Sequence, residues 1–305
     1  MIQNRKRVDT DPSGMELRDD VAQLFDLVAN DGDVHEFVAD IVPSHWHSEL
    51  EVFLLLEGRV RVGIGEEVHE IEPGYGCFIN TGVIHSVAAM VDAPCRYRSF
   101  VFDAGILAGL PGSVFDVKYI RPLMERGPAY CFLDYPGEDA ACYDAFCRAF
   151  DACAEEGTGF EFRAREALTA LILAVIQKSR VFPTRAAADI GEERLKQMLT
   201  FMDAHIGAAV TLADIAASAN VCPREAQRIF ARYLRERPTA YMQHMRVYRA
   251  AQMLADTGKP VTEIALDCGF SSPGYFARQF RQVTGKTPTG YRGNVGAPPQ
   301  SPPET

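Results

Sequence analysis

Residues 261–281 read Val261-Thr-Glu-Ile-Ala-Leu-Asp-Cys-Gly-Phe-Ser-Ser-Pro-Gly-Tyr-Phe-Ala-Arg-Gln-Phe280-Arg281. Ile264 and Ala265 give a short helix one apolar side. Gly269 tolerates a left-handed turn, and Pro273 suits the first turn of a second helix. That second helix buries Phe276 and Phe280 and leaves Gly274, Tyr275, Ala277, Arg278 and Arg281 on its outer face. The pattern is a helix-turn-helix. It occurs twice. Residues 212–230 read Leu212-Ala-Asp-Ile-Ala-Ala-Ser-Ala-Asn-Val-Cys-Pro-Arg-Glu-Ala-Gln-Arg-Ile-Phe230, so that Ile215-Ala216 match Ile264-Ala265, and Arg228 and Phe230 match Arg278 and Phe280. Farther on, Pro238-Thr239 and Tyr241 match Pro288-Thr289 and Tyr291. The offset is 49 before the turn and 50 after it, which places one extra residue inside the second turn. In the first copy the turn falls at Asn220 and the second helix starts near Pro223, with Arg224, Gln227 and Arg228 outward. Arg and Gln are the residue types that make paired hydrogen bonds to guanine and adenine edges. A helical bundle with solvated arginines is the bland alternative for one such motif. Duplication with the same Arg-x-Phe spacing favours double-stranded DNA as the partner.

Residues 192–292 resemble the DNA-binding domain of the AraC/XylS family of transcription regulators. The resemblance rests on 261–281 and on Gly285-Lys-Thr-Pro-Thr-Gly-Tyr-Arg292. It implies two helix-turn-helix units joined by a long helix, here Thr239–Ala255. The first unit departs from the family pattern: Cys222 stands where Ser is usual and Ala226 where a larger apolar residue is usual.

The net charge of −10 is unusual for a DNA binder until it is divided. Residues 190–292 carry 14 Lys and Arg against 9 Asp and Glu, a net of +5, whereas residues 1–189 are net −14. The basic segment can meet phosphate and the acidic remainder is repelled by it. A chain of 305 residues suggests two domains at roughly 150 residues each. No apolar run approaches the ~18 residues of a membrane helix, and Met1–Asp11 has no apolar core of a signal peptide. These features point to a cytoplasmic protein without a membrane partner. Eight scattered cysteines without a C-x-x-C pair read as free thiols in a reducing compartment.

Ahead of the helical region lies a different texture. Residues 15–29 have helical spacing, with Leu17, Val21, Leu24, Phe25 and Val28 on one face. After Asn30-Asp31-Gly32-Asp33 come short β-rich runs: 34–41, 51–56, 59–64, 68–71, 77–80, 85–90 and 96–102, punctuated by Gly58, Gly65, Pro73-Gly74 and Gly82. Such spacing argues for a small antiparallel barrel or sandwich. Helical periodicity returns in 141–154 and 162–177. Residues 45–58 (His45-Trp-His47-Ser-Glu-Leu-Glu51 to Gly58) resemble the first cupin motif, and residues 74–85, ending in His85, resemble the second. Asn80 replaces the second motif's proline, and Ala39 stands where the first motif usually has Gly. The resemblance implies that His45, His47, Glu51 and His85 converge inside the barrel. Three imidazoles and a carboxylate suit a divalent transition metal such as Zn, Fe, Mn or Ni. The other reading is a metal-free pocket that recognises a small-molecule effector.

The expected fold class is thus α+β: an N-terminal cupin-like antiparallel β-barrel with helices, then an all-α domain with two helix-turn-helix motifs. Residues 1–137 form the sensor, 138–180 a helical packing or dimerisation element, 181–190 a linker, 191–292 the AraC-type DNA-binding domain, and 293–305 a disordered tail. The stripe Leu168–Leu171–Val175 either packs on the barrel or forms a homodimer interface. The expected function is a ligand-responsive, sequence-specific DNA-binding regulator without catalysis. Its rivals are a metal-dependent cupin enzyme with a helical appendage and an adaptor that binds protein.

Overall fold

The computed structural model describes residues 2–4, 6–8, 15–16, 25–179 and 190–295. They fall into two compact units, one up to Ser179 and one from Ile190. The linker expected at 181–190 lies outside the described residues except for Ile190.

Ten strands of the N-terminal unit are described: β1 (Ile2–Gln3), β2 (Leu27–Asp33), β3 (Ile41–His45), β4 (Leu50–Leu55), β5 (Val60–Ile64), β6 (Glu67–Ile71), β7 (Tyr75–Ile79), β8 (His85–Ala89), β9 (Arg96–Phe102) and β10 (Tyr130–Asp134). They make a six-stranded sheet, β1-β2-β9-β4-β7-β10, and a four-stranded sheet, β3-β8-β5-β6. Pairing is antiparallel apart from β1 on β2. Short helices α1 (Gly105–Ala108) and α2 (Arg121–Arg126) flank a π-helical turn at Asp116–Ile120, and the long helices α3 (Ala140–Glu155) and α4 (Phe160–Ser179) pair with each other.

All six residues of β4 are buried, because both faces of its sheet are covered. Side chains alternate along a strand. Leu50, Val52 and Leu54 join Phe78, Phe100 and Phe102 in a core completed by α3 and α4. Phe53 and Leu55 face the other way, into a second core with Val60, Val62 and Ile79 between the two sheets. Leu168, Leu171 and Val175 of α4 are fully buried in the first core. The packing reading of that stripe therefore holds, and these residues are not available to a partner.

Two local expectations need correction. Residues 27–29 are strand and not helix. Asn30 through Asp33 continue β2, which is zipped along β9 from Leu27 opposite Phe102 to Asp33 opposite Arg96. Asp31 accepts from Arg98 Nε at 3.1 Å across that ladder, a long-range pairing that outweighs the local period. Met15 and Glu16 lie in a bridge to Trp46, and the rest of the proposed helix, 17–24, lies outside the described residues. The run 34–41 is not a strand either until Ile41. It forms two 3₁₀ turns, Val34–Glu36 and Val38–Asp40, and Asp33 Oδ1 accepts from the backbone of both His35 and Cys95 to hold them. Strand β10 and the helices of 105–126 carry no strong local period and were not anticipated.

The C-terminal unit is helical: α5 (Ile190–Ala204), α6 (Leu212–Ser218), α7 (Pro223–Tyr233), α8 (Pro238–Asp256), α9 (Val261–Asp267), α10 (Pro273–Thr284) and α11 (Pro288–Val295). Helix α11 carries regular structure three residues into the expected tail; 296–305 lie outside the described residues. Arg246 of α8 is buried and donates from Nε to Ile206 O at 2.9 Å and from a terminal nitrogen to Ala208 O at 2.6 Å. It thereby satisfies carbonyls after α5 that no helix bond uses. Among the described residues no helix is long and apolar enough to cross a membrane.

Candidate functional site

The two helix-turn-helix units share the two hydrogen bonds that close their turns. In the first, Val221 N donates to Ala216 O at 3.1 Å and Asn220 N to Ala217 O at 3.0 Å. In the second, Phe270 N donates to Ala265 O and Gly269 N to Leu266 O, both at 2.9 Å. Asn220 and Gly269 have φ of 54° and 76°, the left-handed backbone their residue types tolerate. The repeat extends to an edge-to-face ring pair: Phe230 with Tyr241 at 5.8 Å, Phe280 with Tyr291 at 5.4 Å. The N-caps differ. Ser272 accepts from Tyr275 N, whereas Cys222 makes no side-chain cap. Ala226 is fully buried beside Ile229 and Phe230, so the small residue packs the first recognition helix directly.

Recognition helices α7 and α10 present the expected outer faces. Arg224, Gln227 and Arg228 are exposed on α7, and Gly274, Arg278 and Arg281 on α10; Tyr275 and Ala277 are half-buried. Arg278 lies over the Tyr275 ring at 5.7 Å from its centroid, within cation–π range. Arg228 is not free on its face. Its guanidinium pairs twice with Glu225, one turn earlier on α7. Glu225 was not singled out in the sequence, although an acidic residue three positions before an Arg on one helix face is the signal for such a pair.

In the N-terminal unit, His45 of β3 and His85 of β8 are a cross-strand pair. Glu51 comes from β4 in the facing sheet, and His47 lies just beyond the end of β3. The two histidines do not share a strand, yet their rings are 6.0 Å apart. One ligand atom from each of His45, His47, Glu51 and His85 lies within 4.8 Å of all the others. All four residues are buried. Each imidazole Nδ1 meets a backbone carbonyl: His45 to Pro43 at 2.8 Å, His47 to Glu49 at 3.1 Å, His85 to Val83 at 2.9 Å. A carbonyl only accepts, so each Nδ1 carries its proton and each Nε2 is turned to the centre. His47 Nε2 is 3.2 Å from Glu51 Oε2. His85 Nε2 is 3.0 Å from the same oxygen, and this buried nitrogen makes no hydrogen bond. Burial, helped by the neighbouring His85 and His47 imidazoles, holds the His45 imidazole well below its usual pKa. Burial alone would raise the Glu51 carboxyl; the His47 and His85 imidazoles more than reverse this and hold it well below the usual carboxylate range.

The substituted motif positions also find their places. Ala39 adopts the left-handed backbone that the motif's glycine would, at φ 58°. Asn80 is fully buried and donates through Nδ2 to Leu123 O at 2.8 Å and Pro128 O at 3.0 Å, anchoring the segment that leads into β10. The centre opens on a cavity of ≈ 50 Å³ between the sheets, whose polar lining is Glu16, Asn30, His45, Cys77, Glu51, His85 and Ser99. Burial pushes the Cys77 thiol well up, which leaves it protonated and unreactive.

A family description of an AraC-like ligand binding domain matches residues 30–172, and one of a helix-turn-helix domain matches residues 215–294. The chain is 26% identical over 261 residues to the helix-turn-helix-type transcriptional regulator YdeC of Bacillus subtilis strain 168, covering 85% of this chain and 89% of YdeC. It is 39% identical over 95 residues to the helix-turn-helix-type transcriptional regulator ArgR of Pseudomonas aeruginosa, covering 31% of this chain and 29% of ArgR. Among solved structures, a transcriptional regulator with an AraC-type DNA-binding domain from Chromobacterium violaceum aligns with 33% identity and a TM-score of 0.34, over 35% of this chain and 96% of that one.

Proposed function

Because the chain belongs to the AraC family of helix-turn-helix transcription regulators, we propose that its barrel senses a small molecule in the cavity beside Glu51 and that α7 and α10 read adjacent stretches of major groove. The observation that carries this is the duplicated turn, with the same hydrogen bonds and the same ring pair in both units. Arg224, Gln227, Arg228, Gly274, Tyr275, Ala277, Arg278 and Arg281 form the DNA-facing set. The protein works in the cytoplasm and the barrel turns nothing over. A genomic footprint tests the proposal: it should show discrete operators, each covering two neighbouring major-groove segments. Protection without sequence preference would remove it. Substrate conversion by the chain loaded with Fe, Mn, Ni or Zn would restore the enzyme reading.

A second reading of the histidine centre is supported by one observation. Three Nε2 atoms and an ionised carboxylate converge, one nitrogen lacks a hydrogen-bond partner, and the Nδ1 protons are tied to carbonyls as in metal-ligating histidines. The donor set fits a divalent transition metal held by His45, His47, Glu51 and His85. Such an ion would supply a Lewis-acidic contact for an effector oxygen or nitrogen.

A homodimer completes the proposal. Leu110, Val114, Phe115 and Val117 are exposed, and Phe115 shares an apolar groove with Leu173 of α4. A second copy of the chain covers this surface. Light scattering of Phe115→Glu should give a monomer where the wild type gives a dimer.

A further inference from the structure

The cavity has a second polar pole besides the histidine centre. Asn30 of β2 and Ser99 of β9 are direct cross-strand partners, and both are almost fully buried. Asn30 Nδ2 donates to Ser99 Oγ at 3.0 Å. The Asn30 carbonyl oxygen has no hydrogen-bond partner. A buried acceptor without a donor costs free energy that a bound donor would recover. Nothing in the packing of the two sheets requires an amide here, since neighbouring inward positions on these strands are Tyr97 and Val101.

The pole stands in register with the histidine centre. Glu51 lies opposite Val101 on the β4–β9 ladder, which makes Ser99 its diagonal neighbour. That relationship corresponds to about 7–8 Å between backbone positions. Asn30 stands one strand farther along the same sheet, and both it and Ser99 line the cavity that Glu51 lines. No Lys or Arg is among the described residues that line the cavity, whereas the carboxylates of Glu16 and Glu51 are. With no ion in the histidine centre, an anionic ligand would meet these carboxylates and, among the described lining residues, no Lys or Arg, which is costly. The size sets a limit: at ~10–15 Å³ per water-sized atom, ≈ 50 Å³ holds about three to five non-hydrogen atoms.

We infer that the effector is a short molecule that carries hydrogen-bond donors and no anionic group, held between Glu51 and the Asn30–Ser99 pair. This rests on the proposal that the barrel is the sensor and names what it senses.

Three probes of the same skeleton separate the possibilities: propane-1,2-diol, 1-aminopropan-2-ol and lactate. Binding to the full chain is followed by calorimetry. The diol or the amino alcohol should bind, with lactate at least tenfold weaker. Asn30→Leu and Ser99→Ala should each weaken the bound probe about tenfold, in proteins whose ligand-free melting matches wild type. Should Asn30→Leu misfold, Ser99→Ala decides. Lactate binding as tightly as the others would overturn the inference, as would full affinity in a folded variant at Asn30 or Ser99, or binding by none of the three. Operator binding by the same preparations, measured without any probe, reports separately on whether the chain is a DNA-binding regulator.

Discussion

Arg228 and Glu225 are locked together on the first recognition helix by two hydrogen bonds, Nε to Oε2 at 2.9 Å and a terminal nitrogen to Oε1 at 2.7 Å. The counterpart of Arg228 in the second unit, Arg278, has no such restraint on its donors and rests on an aromatic face. The two arginines thus differ in how freely they can meet a base.

Arg278→Ala should therefore cost about 1–3 kcal/mol of operator affinity, and Arg228→Ala less, because its guanidinium must be shared with Glu225 or withdrawn from it. In a Glu225→Ala background the cost of removing Arg228 should rise. Quantitative band shifts at fixed salt check this. Wild-type affinity in Arg278→Ala would remove the assignment of α10 as a reader.

Geometry gives a second expectation. Helix α8 spans 19 residues without an internal Gly or Pro, a rod of about 28 Å at ~1.5 Å per residue. It should hold α7 and α10 one helical turn of DNA apart, about 34 Å, on the same face of the duplex. Inserting five base pairs between the two half-sites should abolish joint binding. Undiminished affinity after the insertion would mean that one unit docks alone.

Metal content tests the histidine centre. On the metal reading, elemental analysis of protein purified without chelator finds one transition-metal ion per chain, and His47→Ala loses it. A metal-free wild type that stays metal-free after incubation with Zn, Mn, Fe and Ni salts would leave the four residues as a pocket wall only.

Ala39 holds a left-handed backbone at φ 58°, ψ 25°, a conformation that costs a residue with a Cβ about 1–2 kcal/mol. Glycine adopts it freely but brings its own entropy loss. Ala39→Gly should raise the stability of the barrel by about 0.5–1 kcal/mol. A lowered melting temperature would show that the methyl group is needed for packing.

His244 supplies a pH dependence away from both sites. Its Nδ1 is 2.8 Å from Glu236 Oε1, and that hydrogen bond raises its pKa. The charged imidazole is favoured in the folded state. The pair therefore stabilises the fold fully below the ordinary histidine value of about 6.5, and its contribution fades as pH rises through the raised folded value. Because the pair is partly exposed, screening limits it to a few tenths of a kcal/mol. His244→Gln should melt lower than wild type near pH 5.5 and equally near pH 9; a deficit that grows with pH would contradict the assignment.

The legible parts of this molecule are those whose chemistry is local. Asn220, Gly269, Pro223 and Pro273 announce their turns because one residue's backbone preference decides each of them, and the structure places all four accordingly. His45, His47, Glu51 and His85 were readable as a set only through resemblance, since Glu51 reaches the others from a different sheet. The start of strand β2 reads as helix and Asn30–Asp33 as a turn, because the strand's identity depends on β9, some seventy residues away. Asn30 and Ser99 were invisible for the same reason. Each is an ordinary polar residue until the ladder sets them side by side. The Glu225–Arg228 pair is within reach of helical spacing, since an acid three residues before an Arg shares its helix face.

Strand β4 is a party wall. Glu51 and Phe53 furnish the room between the sheets, while Val52 and Leu54, one peptide away, are the surface on which α3 and α4 rest. Interiors packed as tightly as crystals do not absorb small displacements. Whatever enters beside Glu51 leans on masonry common to both rooms, the same strand against which the helix pair is built.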